Sequence, residues 1–258
     1  MIYGLPVLDK PELRFIVPFM KLLVYFSALV FFCCTCLFAS DEKDLSPKPE
    51  KRTERRIEGW QVKVDDRLLQ ADSNVGARAL QIMEMQLANI KSLVVSNRLE
   101  KLQTVSIVLD LDHGKLKPAQ YHPSAGWLEG HGYSRELAKC VHIPNASGFA
   151  AARHNSEQPW CVLHELAHAY NDQVLGFESE EIRKVYEHYK ASGHGESVLF
   201  VSGGKRKHYA LTNQKEFFAE MTEAYFGMND FFPFNRGELK EAEPETYELL
   251  VKLWGARE

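Results

Sequence analysis

A chain of 258 residues with 45% hydrophobic and 26% charged side chains has the balance of a globular protein, which sets disorder aside as its default state. The net charge of −4 argues against nucleic acid as a main partner. The one compact basic run, Lys205-Arg206-Lys207-His208, directly follows Gly203-Gly204 and reads as a solvated hairpin tip.

The first forty residues differ in kind. From Lys21 the chain reads KLLVYFSALVFFCCTCLFAS, and the next charge is Asp41. A lysine, an apolar run and then the small residues Ala39 and Ser40 is the layout of a secretory signal, so residues 1–40 are expected to be a signal peptide or membrane anchor. Met20 stands directly before that lysine and is an alternative start. The run is near the lower length limit for a bilayer span, and uncleaved it would be the chain's only membrane contact. The expected location is secreted, periplasmic or cell-envelope. Cys33, Cys34 and Cys36 lie in this run, leaving Cys140 and Cys161 either as one disulfide of an exported protein or as two buried thiols.

Residues 41–58, DEKDLSPKPEKRTERRIE, are mostly charged, hold two prolines and few apolar side chains, and are expected to form a linker, too polar to bury a core. Trp60 opens an alternating stretch, WQVKVDDRLL, that suits a first strand. Leu80, Met83, Leu87, Ile90 and Val94 fall at helical spacing and predict one long amphipathic helix over 76–98. TVSIVLDL at 104–111 is β-branched and apolar, as a buried strand requires, and KCVHIPNA suggests a short strand at 139–146. Ser156 as N-cap, Pro159 in the first turn and Gly176 at the end predict a helix over about 157–175. A second helix is expected at roughly 180–190, a hairpin turning at Gly203-Gly204, a helix over 213–227 and a last helix through PETYELLVKLW. Helices and a small mixed sheet without regular βα alternation make the fold class α+β.

The helix expected at 157–175 carries CVLHELAHAY. Positions i and i+4 are neighbours on one helical face, so His164 and His168 can each turn one nitrogen to a single zinc ion. Glu165 is rotated about 100° from His164, which places it beside the ion and not on it, where it can take a proton from an activated water. A catalytic site wants a third protein ligand and an open fourth position. The chain does not continue as His-x-x-Gly-x-x-His, because Asn171, Asp172 and Val174 occupy that region, so the third ligand must come from elsewhere. TNQKEFFAEMTEAYF presents Glu216, Glu220 and Glu223 as one stripe of carboxylates. Asn213 and Glu216 also fit a capping box, so spacing alone leaves the choice among the three open.

The His-Glu-x-x-His helix together with HYALTNQKEFFAEMTEAYF resembles the catalytic domain of anthrax lethal factor and related secreted zinc endopeptidases, including those that cut between prolines. The resemblance rests on residues 164–168 and 209–220 and implies a zincin-like metallopeptidase domain over 59–258, cutting a peptide or protein substrate. It makes Glu216 the third zinc ligand and Tyr209 a group that assists the transition state. Glu220 would then hold a ligand histidine by its far nitrogen. The toxin's own substrates do not carry over, since this chain has no room for its large additional domains. A monomer is expected. A zinc-stabilised binding domain without turnover, or an amidase acting on a cell-envelope substrate, would use the same ligands. Two further expectations concern substrate: an exposed sheet edge at CVHIPNAS that takes an extended peptide, and a specificity wall of Phe231, Phe232 and Phe234.

Overall fold

The computed structural model describes residues 43–46 and 48–256, and the expected export segment lies outside them. Strands β1 (Arg52–Ile57) and β2 (Trp60–Asp65) form an antiparallel hairpin. There follow α1 (Asn74–Leu93), α2 (Ser96–Leu102), β3 (Ile107–Leu109), β4 (Gln120–Tyr121), α3 (Ala125–Gly130) and β5 (Val141–Ile143). These strands make one sheet in the order β1-β2-β3-β5-β4, parallel through β2, β3 and β5 and antiparallel at both edges. The second half is mostly helical: α4 (Ala146–Phe149), α5 (Ala152–Glu157), α6 (Cys161–Tyr170) and α7 (Glu180–Ser192). A small hairpin, β6 (Val198–Leu199) and β7 (Lys205–Arg206), precedes α8 (Gln214–Phe226), α9 (Arg236–Ala242) and α10 (Pro244–Trp254). The described residues form an α+β domain.

Strand alternation decides which side chains meet the helices. Ile107, Leu109, Val141 and Ile143 enter the main core with Trp60, Val62 and Val64, while Val108 turns to the other face and packs with Leu128, Tyr133 and Leu137. Helix α8 contributes Phe217, Phe218, Met221 and Tyr225 to the same core as Leu163, Leu166 and Ala167 of α6. Each fully buried side chain of this size stabilises the fold by roughly 1.5–3 kcal/mol, so the α6–α8 contact is held chiefly by apolar burial. Where α8 ends, a Cβ on Gly227 would come within 1.9 Å of the Trp160 ring. Glycine at that position lets the start of α6 and the end of α8 touch.

Several elements depart from their sequence expectations. The charged segment 41–58 is not all linker, because residues 52–57 pair with β2 along its whole length. An edge strand needs only backbone partners, and its charged side chains discourage further pairing. The helix expected over 76–98 breaks at Val94-Val95, which take extended backbone between α1 and α2. Ser156 and Pro159 do not start the motif helix: Ser156 lies inside α5, which is capped by Gln158, and Pro159 and Trp160 come between that cap and α6. The far end comes at Gly176 as expected, with φ +83°, after α6 widens into a π-helical turn at Asn171–Leu175. Strand β5 is interior, paired on both sides, and the edge belongs to two-residue β4.

Candidate metal centre

Helices α6 and α8 pack so that His164, His168 and Glu216 converge. His164 Nε2 and His168 Nε2 lie 3.2 Å apart, and Glu216 Oε2 is 3.1 Å from the first and 3.2 Å from the second. Ligands bound tetrahedrally at about 2.0–2.1 Å stand roughly 3.3 Å from one another, so this spacing fits one small divalent cation. Asn213 caps α8 by accepting from the N–H groups of Lys215 and Glu216, which leaves the Glu216 carboxylate free to face the histidines.

Two backbone features aim the remaining groups. The Glu165 carboxylate accepts the Tyr121 N–H at 2.7 Å, so edge strand β4 sets where it points. Tyr209 begins a 3-10 turn before α8, is 49% exposed, and faces the same cleft of about 610 Å³ that His164, Glu165, His168 and Glu216 line. Burial, and then the charge of Glu216, push its phenol pKa upwards, so it stays a hydrogen-bond donor at neutral pH.

The far nitrogen of His164 corrects an expectation. His164 Nδ1 lies 2.7 Å from Glu223 Oε1 and 3.5 Å from Glu220 Oε1, so Glu223 holds the ring and Glu220 stands behind it. Glu223 is seven residues beyond Glu216, two helical turns, and returns to nearly the same face. The signal was the carboxylate stripe itself, whose third member lies outside the segment that carries the resemblance. Burial raises the pKa of Glu220 well above the carboxylate range, and the charge of Glu223 adds to it. Glu216 moves the other way: burial opposes its charge, but bonds from His164 and His168 outweigh that and hold it well below its usual value. The donor set is therefore one carboxylate and two imidazoles, one of which is oriented through its other nitrogen, as zinc ligands usually are.

A second group, Asp110, His113 and His142, also gathers ligand atoms within 4.8 Å. Here Arg52 already binds both Asp110 oxygens at 2.7 Å, and His142 reaches on to His122 at 3.1 Å. A cation would sit beside a guanidinium that already neutralises the carboxylate. The cluster is a buried hydrogen-bond network fixing β1 to β3 and β5, and it lay beyond the sequence reading because its members are scattered over four segments. Phe231, Phe232 and Phe234 do not line the cleft: Phe231 stacks with His208 at 4.9 Å, and Phe232 lines a separate small cavity. Cys140 and Cys161 are free and buried.

The model of the family described as anthrax toxin lethal factor, N- and C-terminal domain, matches residues 68–253, from the start of the helical region to the end of α10. The chain belongs to this family. The match takes in both stretches that converge on the cleft, α6 and α8, together with β4 and Glu223. No curated protein and no solved structure matches the chain. Among the described residues, no helix is long and apolar enough to cross a membrane.

Proposed function

We propose that this member of the lethal factor family is a zinc-dependent endopeptidase with a zincin-like catalytic domain. One observation carries the reading: two imidazoles and a carboxylate, about 3.2 Å apart, meet at the wall of a cleft that also holds Glu165 and Tyr209. His164, His168 and Glu216 would hold the metal. When bound, zinc supplies a Lewis acid that brings the pKa of a water near 7. Glu165 takes the proton from the attacking water and delivers it to the leaving amine. The Tyr121 N–H keeps that carboxylate in place, and Tyr209 donates to the oxyanion that forms at the scissile carbonyl.

The substrate is an extended peptide, and β4 is the edge that receives it. His122 bonds back to Cys140 and Lys139, so Gln120 and His122 face β5 while the backbone of Ala119 and Tyr121 turns to the cleft. A peptide strand can add there with its carbonyl carried past Glu165. The signal-like run read from the sequence at residues 21–40 motivates placing this activity outside the cytoplasm.

The test is to express the protein, measure bound metal, and assay a mixed peptide library with and without Glu165→Gln. Retained zinc with cleavage lost supports the reading. Retained zinc with cleavage unchanged removes Glu165 from the mechanism.

A further inference from the structure

Tyr209 makes no side-chain hydrogen bond among the described residues, yet its phenol must be placed to within a fraction of an ångström if it is to meet a developing charge. Its aim is therefore decided by the backbone that carries it. That backbone is a single 3-10 turn, Tyr209–Leu211, and the residue before it is His208. His208 is 1% exposed, which for an imidazole needs a reason.

The contacts give one. The His208 ring accepts the Ala210 N–H at its Nδ1, at 3.1 Å, and so caps the turn. Its own N–H donates to Gly195 O at 2.8 Å, tying the turn to the segment after α7, and its carbonyl accepts from Leu211 at 3.1 Å. The ring stacks on Phe231 at 4.9 Å and meets Tyr189 edge-on at 6.1 Å, so it cannot swing out of register. Gly195 is itself closed in: a Cβ there would come within 2.6 Å of the Tyr189 hydroxyl. Burial lowers the imidazole's pKa to about 3, so at neutral pH Nδ1 keeps the lone pair that the cap requires.

We propose that His208 is a positioning residue, a buried side-chain cap that fixes the turn at Tyr209–Leu211 and thereby aims the Tyr209 phenol into the cleft. Any acceptor of similar reach at position 208 preserves the aim, and an apolar side chain of the same size loses it. This inference rests on the peptidase reading for its kinetic consequence, though not for its structural one.

The experiment compares His208→Asn with His208→Leu, two side chains with the same number of heavy atoms, of which only Asn offers an acceptor. Packing alone would favour Leu, which fills the buried position better than the smaller Asn, so a larger loss in the Leu variant reports the missing acceptor. His208→Leu is expected to lower kcat by about 10–100-fold, with KM and zinc content little changed, while His208→Asn stays within about threefold of the wild type. In a Tyr209→Phe background, His208→Leu should cost nothing further, because the group it aims is gone. Equal kcat values for the Asn and Leu variants, or losses that multiply in the Tyr209→Phe background, overturn the proposal. If His208→Leu does not fold, His208→Phe, which keeps an aromatic ring on Phe231, takes its place with the same expectation. A wild-type protein that cleaves nothing would count against the peptidase reading alone. Nitration of Tyr209, resolved by peptide mapping, then decides the inference: its rate should match wild type in His208→Asn and change severalfold in His208→Leu, and identical rates overturn it.

Discussion

Glu223 Oε1 lies 2.7 Å from His164 Nδ1, closer than any other carboxylate in the structure approaches that nitrogen. The ring can therefore donate its Nδ1 proton to Glu223 and present Nε2 as a lone pair to a metal. Replacing Glu223 by Gln should weaken zinc binding by about 10–100-fold, measured by competition with a chelator. Glu220→Gln, whose parent side chain burial pushes towards the neutral form and which stands farther from the ring, should change affinity far less. Equal losses for both would show that the acidic stripe acts as a diffuse field and not through one bond.

The Glu165 carboxylate and the Tyr209 phenol face one cleft, and the proposed reaction gives them different duties, so their variants should separate. Glu165→Gln removes the base and is expected to lower kcat by at least about 10²–10⁴-fold, with zinc retained. Tyr209→Phe should cost about 10²–10³-fold in kcat through the lost oxyanion donor, with KM nearly unchanged. A Tyr209→Phe enzyme whose loss falls entirely on KM would assign the phenol to substrate binding instead.

The metal-free site stores protons, and that gives stability a pH slope. For His164, burial disfavours the charge, but bonds to Glu216 and Glu223 outweigh it and raise the pKa well above the ordinary 6.5. Asp230, beside Gln158, is pushed up to about 7 by burial and then by the charge of Glu223. Groups with raised folded pKa values stabilise fully below their unfolded pKa and lose that contribution as pH rises through the folded one. Glu216 is depressed, so its contribution is present above the ordinary 4.5 and fails only in strong acid. His122 and His208, whose pKa values burial lowers to about 3, pull the other way until pH passes the unfolded imidazole value of 6.5, so the chelator-treated protein should melt at lower temperature as pH rises from about 6.5 to about 8. Zinc displaces the His164 proton, so its stabilising effect should grow over the same range. A metal-free melting temperature that climbs steadily across that window would contradict this proton inventory.

How legible was this in the chain? Helices α6 and α8 announce themselves because four-residue spacing is a covalent consequence of helical pitch, so His164, His168 and the glutamate stripe lie on known faces before any fold is drawn. Which glutamate meets the histidines depends on how two helices cross, and only the resemblance pointed to Glu216. Strand β4 left no trace, since two residues carry no period and its pairing depends on β5 twenty residues later. The β1 segment misled for a related reason: RTERRI reads as solvent-loving, but an edge strand is defined by backbone bonds that side-chain polarity does not report. The α6 start was misplaced because Ser156 and Pro159 suit a cap by type, whereas the close approach of Trp160 and Gly227 fixes where the helix can begin.

Arg52 joins this misread segment to the buried network, and its removal should be costly. Asp110 is fully buried; Arg52 binds both of its oxygens and supplies the full positive charge, while His113 and His142 share Oδ2. Arg52→Met would leave an uncompensated carboxylate and destabilise the domain by about 3–5 kcal/mol, read from urea unfolding. The same argument sets the metal stoichiometry at one per chain: His113→Ala should leave zinc content unaltered, while His168→Ala abolishes tight binding. Two tightly held equivalents, one lost with His113, would make the Asp110 cluster a metal site after all.

The contact between Trp160 and Gly227 links fold to site most directly. A Cβ at 227 would lie 1.9 Å from the indole, far inside van der Waals contact, and neither helix end can yield without moving its neighbour. Gly227→Ala should therefore destabilise the protein by about 1–3 kcal/mol through overpacking, seen as a lowered melting temperature. Because Trp160 directly precedes α6 and Gly227 directly follows α8, the strain falls on the crossing that brings Glu216 to His164 and His168. Zinc affinity should drop along with stability, although no ligand has changed. Relief should come from Trp160→Phe, which removes part of the indole that the new methyl meets. If the double variant regains melting temperature but not zinc affinity, the helix crossing is not what sets the ligand spacing.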